Sequence, residues 1–158
     1  MKIISSTPKI DGSNYKIAII LTRFNDSIGK ILHENVIETL KENSVSEANI
    51  ETVRVPGSLE APLTAKLLAR QKKYDAIIAL GAIIKGDTHH FDLVCSQSHR
   101  GLMDVSIKTK TPIIFGILTT YNEKDAIHRA EKEGLNKGRE YALAALEMAQ
   151  IKSQLANT

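Results

Sequence analysis

The stretch from Gly81 to His90 carries the residue types with the most chemical potential. Gly81 and Gly86, followed by Asp87 and Thr88, have the glycine spacing of a phosphate-binding loop, but aspartate stands where such a loop has its lysine. Because an aspartate would repel the β- and γ-phosphates of a nucleotide, the sequence argues against nucleotide hydrolysis. Two interpretations stay open: Gly86-Asp87-Thr88 opens a helix whose free N–H groups hold a single phosphate, or Asp87 and Thr88 are ordinary helix caps.

The five histidines do not suggest a metal site. His89 and His90 are adjacent, so on a helix they point in different directions, and His33, His99 and His128 lie in other segments. No spacing of cysteines or carboxylates completes a ligand set, and we expect no metal. A single histidine acting as a general acid and base is more plausible, because its pKa lies near neutrality; the alternative for each is a solvated surface histidine.

Three further side chains could serve a site, although each has an ordinary explanation. Arg129 and Lys137 flank the loop before the last predicted helix, and a surface position is the default for such cations. Phe24 follows Arg23 directly at the end of a predicted strand. Its ring either covers a flat ligand or packs against the protein itself, and the sequence leaves both interpretations open.

The elements that would position these residues alternate between strands and helices. Short apolar runs rich in β-branched residues predict four strands, at 17–21, 50–55, 76–80 and 112–118. Only 50–55 alternates clearly between apolar and polar residues, which favours a place nearer an edge of the sheet. Apolar residues at helical spacing predict helices at 27–42, after Pro56-Gly57 (Leu59, Leu63, Leu67, Leu68), at about 90–107, at 123–131 and at 136–151.

This alternation predicts an α/β fold with a mainly parallel four-stranded sheet and right-handed crossovers. Residues 1–14, with Pro8, Asp11 and Gly12, predict an extended N-terminal arm outside the core, and residues 15–158 predict a single domain. In open parallel sheets, ligands bind beyond the carboxyl ends of the strands. The polar and glycine residues that follow the four strands are therefore expected to form a site at that edge.

Composition excludes several classes of partner. The 158 residues include 21 Lys and Arg against 18 Asp and Glu, a net charge of +3, with the charges interspersed. Aromatic residues make up 4% and tryptophan is absent, so neither a basic stripe nor a stacking platform for nucleic acid is visible. No stretch approaches the ~18 apolar residues of a membrane span. We expect neither nucleic acid nor membrane as a partner.

Cys95 is the only cysteine, so no intramolecular disulfide can form. It lies beside Leu93 and Val94 and is expected to be a small buried hydrophobe. The start of the chain shows no cleavage signal. These features fit a reducing compartment, and we expect a cytoplasmic protein.

Five motifs in order give the chain a specific resemblance. It resembles the 6,7-dimethyl-8-ribityllumazine synthase family, whose enzymes act late in riboflavin biosynthesis, over about residues 16–150. The motifs are Arg23-Phe24-Asn25, Val55-Pro56-Gly57-Ser58-Leu59-Glu60-Ala61-Pro62, Gly86-Asp87-Thr88-x-His90-Phe91-Asp92, Phe115-Gly116-Ile117-Leu118-Thr119-Thr120 and Asn136-Lys137-Gly138.

The resemblance implies a three-layer, flavodoxin-like sandwich and a reaction. The enzyme would condense 5-amino-6-(D-ribitylamino)uracil with 3,4-dihydroxy-2-butanone 4-phosphate, releasing phosphate and water, with no cofactor. Two alternatives stay open: a related riboflavin synthase, and a flavodoxin-like module that binds a flavin or ribityl compound without turnover.

The resemblance also implies residue roles. The pocket for the pyrimidine and its ribityl chain would be lined by Phe24, Asn25, Gly57, Ser58, Leu59, Glu60, Ala82, Ile83 and Ile84, with Phe115 and Lys137 supplied by a neighbouring subunit. Phosphate would be held by Gly86, Asp87, Thr88 and Arg129, the arginine also from the neighbour. His90 would move protons. Leu59 departs from the family, which often has an aromatic residue there, and His128 stands where many members carry an acid.

Assembly is a further implication of the resemblance. The family forms pentamers, and some members arrange twelve pentamers into a hollow icosahedral shell. The arm at 1–14 would lie along a neighbour's sheet edge, and the helix at 90–107, with Val94, Leu102 and Val105, is the candidate for the five-fold contact. The chain shows no insertion between Arg129 and Asn136, so a shell is sterically allowed. A riboflavin synthase is an expected partner of such an assembly.

Overall fold

The computed structural model describes residues 1, 3–5 and 9–156 and contains four strands and five α-helices in those ranges. The strands are β1 (Ile17–Thr22), β2 (Ile50–Val55), β3 (Ala76–Ile84) and β4 (Ile113–Thr120). The helices are α1 (Asp26–Glu42), α2 (Ala61–Arg70), α3 (His90–Thr109), α4 (Glu123–Ala130) and α5 (Lys137–Ala156), with short 3-10 turns at Glu47–Asn49 and Ser58–Glu60.

The four strands form one parallel sheet in the order β2-β1-β3-β4. All six residues of β1 are buried, as expected of a central strand covered on both faces. β2 lies at an edge and has exposed residues, so its predicted edge position is confirmed. The sheet confirms the predicted α/β class.

Alternate residues of β1 enter two separate hydrophobic cores, because successive side chains point to opposite faces of a strand. Ile17 and Ile19 pack with α1, α4 and α5 on one face of the sheet. Ala18 and Ile20 pack with α2 and α3 on the other face. The result is the three-layer, flavodoxin-like sandwich that the resemblance implied.

The third strand is longer than the sequence predicted, and this corrects the picture of the loop after it. β3 continues through Ile84, so Gly81 lies inside a strand and not in a phosphate-binding loop. A Cβ at Gly81 would come within 2.2 Å of the Thr22 Oγ1 atom on β1. Glycine is required here because the two strands approach closely, not because a turn needs it.

The start of α3 agrees with the helix predicted at about 90–107, but Gly86-Asp87-Thr88 does not itself open the helix. The helix begins at His90 with His89 in the N-cap position, so neither Asp87 nor Thr88 is the N-cap residue. The Thr88 hydroxyl accepts a long hydrogen bond of 3.4 Å from the His90 N–H. The segment from Gly86 to Thr88 therefore runs as an irregular loop that leads into the helix.

Two other expectations need correction. Leu102 and Val105 are buried in the core of their own chain, so these two side chains are not available for the expected five-fold contact, whereas Val94 is only partly buried. Cys95 is only partly buried against the same core, and this burial raises the pKa of its thiol.

The N-terminal arm is described in part. Ile10 is buried in the core of its own chain and the Gly12 N–H donates to the Asn43 carbonyl at 2.8 Å, so residues 10–12 belong to the domain rather than lying outside it. Residues 2 and 6–8 lie outside the described ranges. An arm that reaches a neighbour stays a prediction.

No helix within residues 9–156 combines the length and the apolar character that a bilayer crossing requires.

The close approach of β1 and β3 leaves one buried polar atom without a partner. Thr22 is 1% exposed, and its Oγ1 atom has no hydrogen-bond partner among the described residues. Thr39 on α1 is as deeply buried, but its Oγ1 donates to the Asn35 carbonyl at 2.7 Å. The two threonines form a matched pair for measuring what a buried hydroxyl contributes.

We expect Thr22→Val to raise the free energy of unfolding by about 1 kcal/mol, because an isosteric methyl replaces an unsatisfied hydroxyl. Thr39→Val should lower it by a similar amount, about 1 kcal/mol, because it removes a hydrogen bond. Denaturant unfolding of both variants in one buffer measures the difference. A loss of stability in Thr22→Val equal to that in Thr39→Val would contradict the assignment.

Candidate active site

A cleft of about 320 Å³ opens at the carboxyl ends of β1, β2 and β3, beside the first turn of α3. This is the edge of the sheet at which the polar loops were expected to meet. Its lining is formed by Phe24, Asn25, Gly57, Ser58, Leu59, Glu60, Ala82, Ile83, Ile84, Gly86, Thr88, His90, Phe91 and Val94.

The turn after β1 is anchored by backbone and side-chain hydrogen bonds. The Arg23 N–H donates to the Val55 carbonyl at 2.9 Å and the Phe24 N–H donates to the Pro56 carbonyl at 3.2 Å, which extends the β1–β2 pairing beyond the strands. These bonds fix the backbone of Phe24 while its side chain stays 74% exposed at the rim of the cleft. The ring therefore lies at the rim of the cleft with most of its surface open to solvent.

Asn25 ties this turn to the floor of the cleft. Its backbone is in the left-handed region, with φ of 54°, which asparagine tolerates better than most residues. Its side-chain Nδ2 donates to the Ala82 carbonyl on β3 at 2.8 Å. The side-chain amide therefore joins the turn after β1 to strand β3, which is far away in sequence.

The turn after β2 forms the opposite wall. The Glu60 N–H donates to the Gly57 carbonyl at 3.3 Å, and the Glu60 carbonyl accepts from the Thr64 hydroxyl on α2 at 3.0 Å. Ser58 is buried beneath this turn, whereas Leu59 and Glu60 are exposed. A carboxylate at the mouth of an otherwise apolar cleft can accept hydrogen bonds from hydroxyl groups of a ligand.

The two adjacent histidines have different surroundings. His90 lines the cleft from the first turn of α3. The neighbouring His89 faces elsewhere, and its Nδ1 lies 3.2 Å from the Asp92 carboxylate. Of the two adjacent histidines, therefore, only His90 lines the cleft. In the described part of the chain, no group of three or more His, Cys, Asp or Glu side chains could hold a metal ion.

No lysine or arginine of the described ranges lines the cleft. Its ionisable lining residues are Glu60 and His90, and most of the remaining lining is apolar. Lys85 directly precedes the lining residue Gly86 but does not line the cleft itself. Its Nζ lies 5.1 Å from the centroid of the Tyr121 ring. A doubly charged anion bound here would meet N–H groups, the Thr88 hydroxyl and one imidazole.

Four residues singled out from the sequence lie outside this cleft. Asp87 is exposed in the loop before α3. Phe115 lies on β4 and stacks on the His99 ring, with centroids 5.1 Å apart and planes 3° apart. Arg129 Nη1 donates to the Asp125 carbonyl at 3.3 Å, and Lys137 forms an ion pair of 2.6 Å with Glu140.

Phe115 lies on the edge strand β4 and packs against the face of the sheet that α2 and α3 cover. Arg129 and Lys137 lie at the end of α4 and at the start of α5, on the other face. Tyr141 marks this region: burial raises the pKa of its phenol to about 12, and Arg129 is close enough to counteract part of that rise. These residues are separated from their own chain's cleft, which opens above β1 to β3.

Two lining residues were not singled out as site residues from the sequence. Phe91 and Val94 follow His90 at positions i+1 and i+4 of α3, and the Phe91 ring lies 6.2 Å from that of Tyr121. Helical spacing from His90 predicts that Val94 shares its face. Phe91 gives no such signal, since adjacent helix residues point in different directions.

The arrangement favours a particular kind of chemistry. An exposed aromatic ring, an apolar floor and a carboxylate suit a flat heterocycle that carries hydroxyl groups. One imidazole at the mouth suits proton transfer near neutral pH.

Comparison with known proteins identifies one family. The family model described as 6,7-dimethyl-8-ribityllumazine synthase matches residues 14–153. The match spans all four strands, the whole cleft and most of α5.

We expect Asn25→Asp to lower the free energy of unfolding by about 1–3 kcal/mol, because a carboxylate would face the Ala82 carbonyl without a proton to donate. Both residue types tolerate the left-handed backbone, so the change isolates the hydrogen bond. Asn14→Asp, in the exposed turn before β1, makes the same chemical change as a control. Denaturant unfolding above pH 6 compares the two; equal stability would contradict a tethering role for Asn25.

Proposed function

The chain belongs to the 6,7-dimethyl-8-ribityllumazine synthase family, and we propose that the cleft described above holds the reacting groups of its reaction. The activity is a transferase step of riboflavin biosynthesis, in which 5-amino-6-(D-ribitylamino)uracil and 3,4-dihydroxy-2-butanone 4-phosphate are condensed to the lumazine.

The substrates supply most of the reactivity themselves. The primary amine of the pyrimidine attacks the ketone carbonyl, and loss of water gives an imine. Elimination of phosphate then produces an enol that becomes a ketone, and attack by the ribitylamine nitrogen closes the second ring with loss of another water. Each step moves protons between nitrogen, carbon and oxygen. The reaction therefore requires only one imidazole for proton transfer and the correct placement of the two reactants.

Different residues of the cleft suit different chemical groups of the two substrates. Phe24 covers the pyrimidine ring and the floor of Ala82 and Ile83 supports it. Glu60 accepts hydrogen bonds from the ribityl hydroxyls. His90, at the mouth of the cleft, takes the proton from the attacking amine and returns it to the departing hydroxyl.

Phosphate binding gives the strongest argument for a shared site. Gly86, Asp87 and Thr88 offer backbone N–H groups and a hydroxyl, but no cation lines the cleft in the described part of the chain. A phosphate leaving group needs stronger charge stabilisation than that. Arg129, together with Lys137 and Phe115, completes the site from the β4 side of a neighbouring subunit. The lack of a lining cation is the single observation that carries this proposal.

The surface that meets the neighbour is apolar and lies on α2 and α3. Leu63 and Leu67 on α2 are 65% and 54% exposed, and Met103 and Ile107 on α3 are 49% and 68% exposed. Large apolar side chains grouped on one side of a protein mark an association surface. This face replaces Leu102 and Val105 as the five-fold contact of a pentamer.

A shell of twelve pentamers remains part of the proposal. The connection between α4 and α5 is short, and the Leu135 N–H closes it by donating to the His128 carbonyl at 2.9 Å. A compact connection leaves room for pentamers to approach one another.

The single cysteine fits the expected cytoplasmic location.

We expect His90→Ala to reduce turnover by about 10²-fold or more, the usual contribution of a positioned general acid and base. A residual rate should remain, because both substrates are still held together. His89→Ala is the matched control: it removes an adjacent exposed histidine that faces away from the cleft and should retain the parent rate. Lumazine absorbance follows both reactions, and parent-like turnover in an assembled His90→Ala variant would contradict the proton-transfer role.

Subunit mixing tests whether the site is shared. His90→Ala and Arg129→Ala chains should each be almost inactive alone, but mixed assemblies should recover activity in about a quarter of their sites, those that combine an intact His90 with a neighbour's intact Arg129. Equal co-expression and the absorbance assay measure the recovery. If both residues acted within one chain, every site would carry a defect and mixing would restore nothing.

A further inference from the structure

The end of the molecule opposite the cleft carries a groove of about 430 Å³ that is lined, among the described residues, by five cations and by no acidic residue. It lies near the amino ends of β3 and β4, where α2 and α3 finish. The cations are Arg70, Lys72, Lys108, Lys110 and Lys152, and this set is called the basic groove below. A concentration of this kind is not expected from a net charge of only +3.

Four of the five cations of the basic groove have no side-chain partner among the described residues, in contrast to many cations elsewhere in the chain. Lys108 approaches Asp104 only to 4.0 Å, and the other four make no ion pair or side-chain hydrogen bond with any residue in the described ranges. Closer ion pairs occur elsewhere at Lys30–Asp26, Lys41–Glu47, Lys132–Glu38 and Arg139–Glu42, at distances of 2.6–2.7 Å. The charges of the groove are therefore available to a ligand.

Helix ends explain only part of this arrangement. Arg70 and Lys108 are in the last turns of α2 and α3, where cations complement the carbonyl ends of helices. Lys72 and Lys110 come after those helices, both in the left-handed region with φ of 54° and 55°. Lys152 arrives from α5, which packs on the other face of the sheet.

Three segments that are distant in sequence thus bring like charges together at one concave surface. Gathering like charges costs electrostatic free energy unless an anion offsets it, and a cleft lined by one sign of charge raises the local concentration of opposite charge. We propose that the basic groove binds an anion that carries several linked phosphates, either inorganic oligophosphate or the phosphate chain of a nucleoside triphosphate.

The lining indicates what part of such a ligand is recognised. Tyr74, the one aromatic residue of the lining, is 7% exposed, so no aromatic face is available for stacking a base. Five cations exceed what a single phosphate can neutralise. The groove therefore recognises the phosphate chain and not the nucleoside, and it differs from the cleft, whose lining holds no cation.

Calorimetric titration of the assembled protein with tripolyphosphate tests this proposal. We expect Lys72→Glu combined with Lys110→Glu to weaken binding about tenfold or more, because charge reversal converts two attractive contacts into repulsive ones. Lys124→Glu, on α4 at the opposite end, is the matched control and should change the affinity less than about twofold, since its distance from the groove exceeds the screening length of about 8–10 Å. Lumazine synthesis by the double variant should stay at the parent level.

Further titrations separate this groove from the cleft and identify the ligand. Arg129→Ala should lose lumazine synthesis but retain tripolyphosphate binding. The two measurements therefore test the proposed active site and the basic groove separately. ATP and tripolyphosphate should bind alike, and inorganic phosphate much more weakly. Equal weakening by Lys124→Glu and by the double variant, or equal affinity for phosphate and tripolyphosphate at constant ionic strength, would overturn the proposal.

Discussion

The hydrogen bond from Asn25 to the Ala82 carbonyl joins the end of β1 to the end of β3, and the shape of the cleft depends on it. Immediately below it, Thr22 and Gly81 bring the two strands so close that even a methyl group on Gly81 would collide with the threonine. This contact aligns the strand ends, and the hydrogen bond then holds the turn that carries Phe24 above the floor formed by β3. A rigid floor and a fixed wall allow two small substrates to be held face to face, which is the main requirement of a condensation between reactive partners.

The two ends of the molecule differ in the charged groups that they offer to an anion. The cleft end offers an imidazole, a carboxylate and backbone N–H groups, but it has no lining cation of its own. The opposite end gathers five cations without an acidic residue in the lining. In the proposed function, a phosphate bound in the cleft draws on charge from a neighbouring subunit, whereas the proposed anion at the far end would meet an excess of positive charge within one chain.

The apolar surface of α2 and α3 fits this dependence on a neighbour. The inner sides of α2 and α3 pack in the hydrophobic core between these helices and the sheet. Their outer sides carry exposed apolar residues, including leucines at successive turns of α2. Covering them with another subunit removes apolar area from water and is favourable in itself. The same association would bring the β4 side of one chain towards the cleft of the next, so the energy of assembly also positions the residues that the cleft lacks.

The order of strands and helices, the parallel α/β class and the edge position of β2 were determined by the sequence alone, because they follow from local periodicity and from the burial that each strand pattern implies. Most of the cleft was also predictable, since the loops after parallel strands must meet at one edge. Only the tertiary structure decided that Gly81 lies within β3 and that Leu102 and Val105 face inward. Each of these depends on which surface packs against a distant segment, and a local pattern does not carry that information. The same reason applies to Phe115, Arg129 and Lys137, whose separation from their own cleft appears only when β4 takes its place at the edge, and to the basic groove, whose cations come from three segments that folding alone brings together.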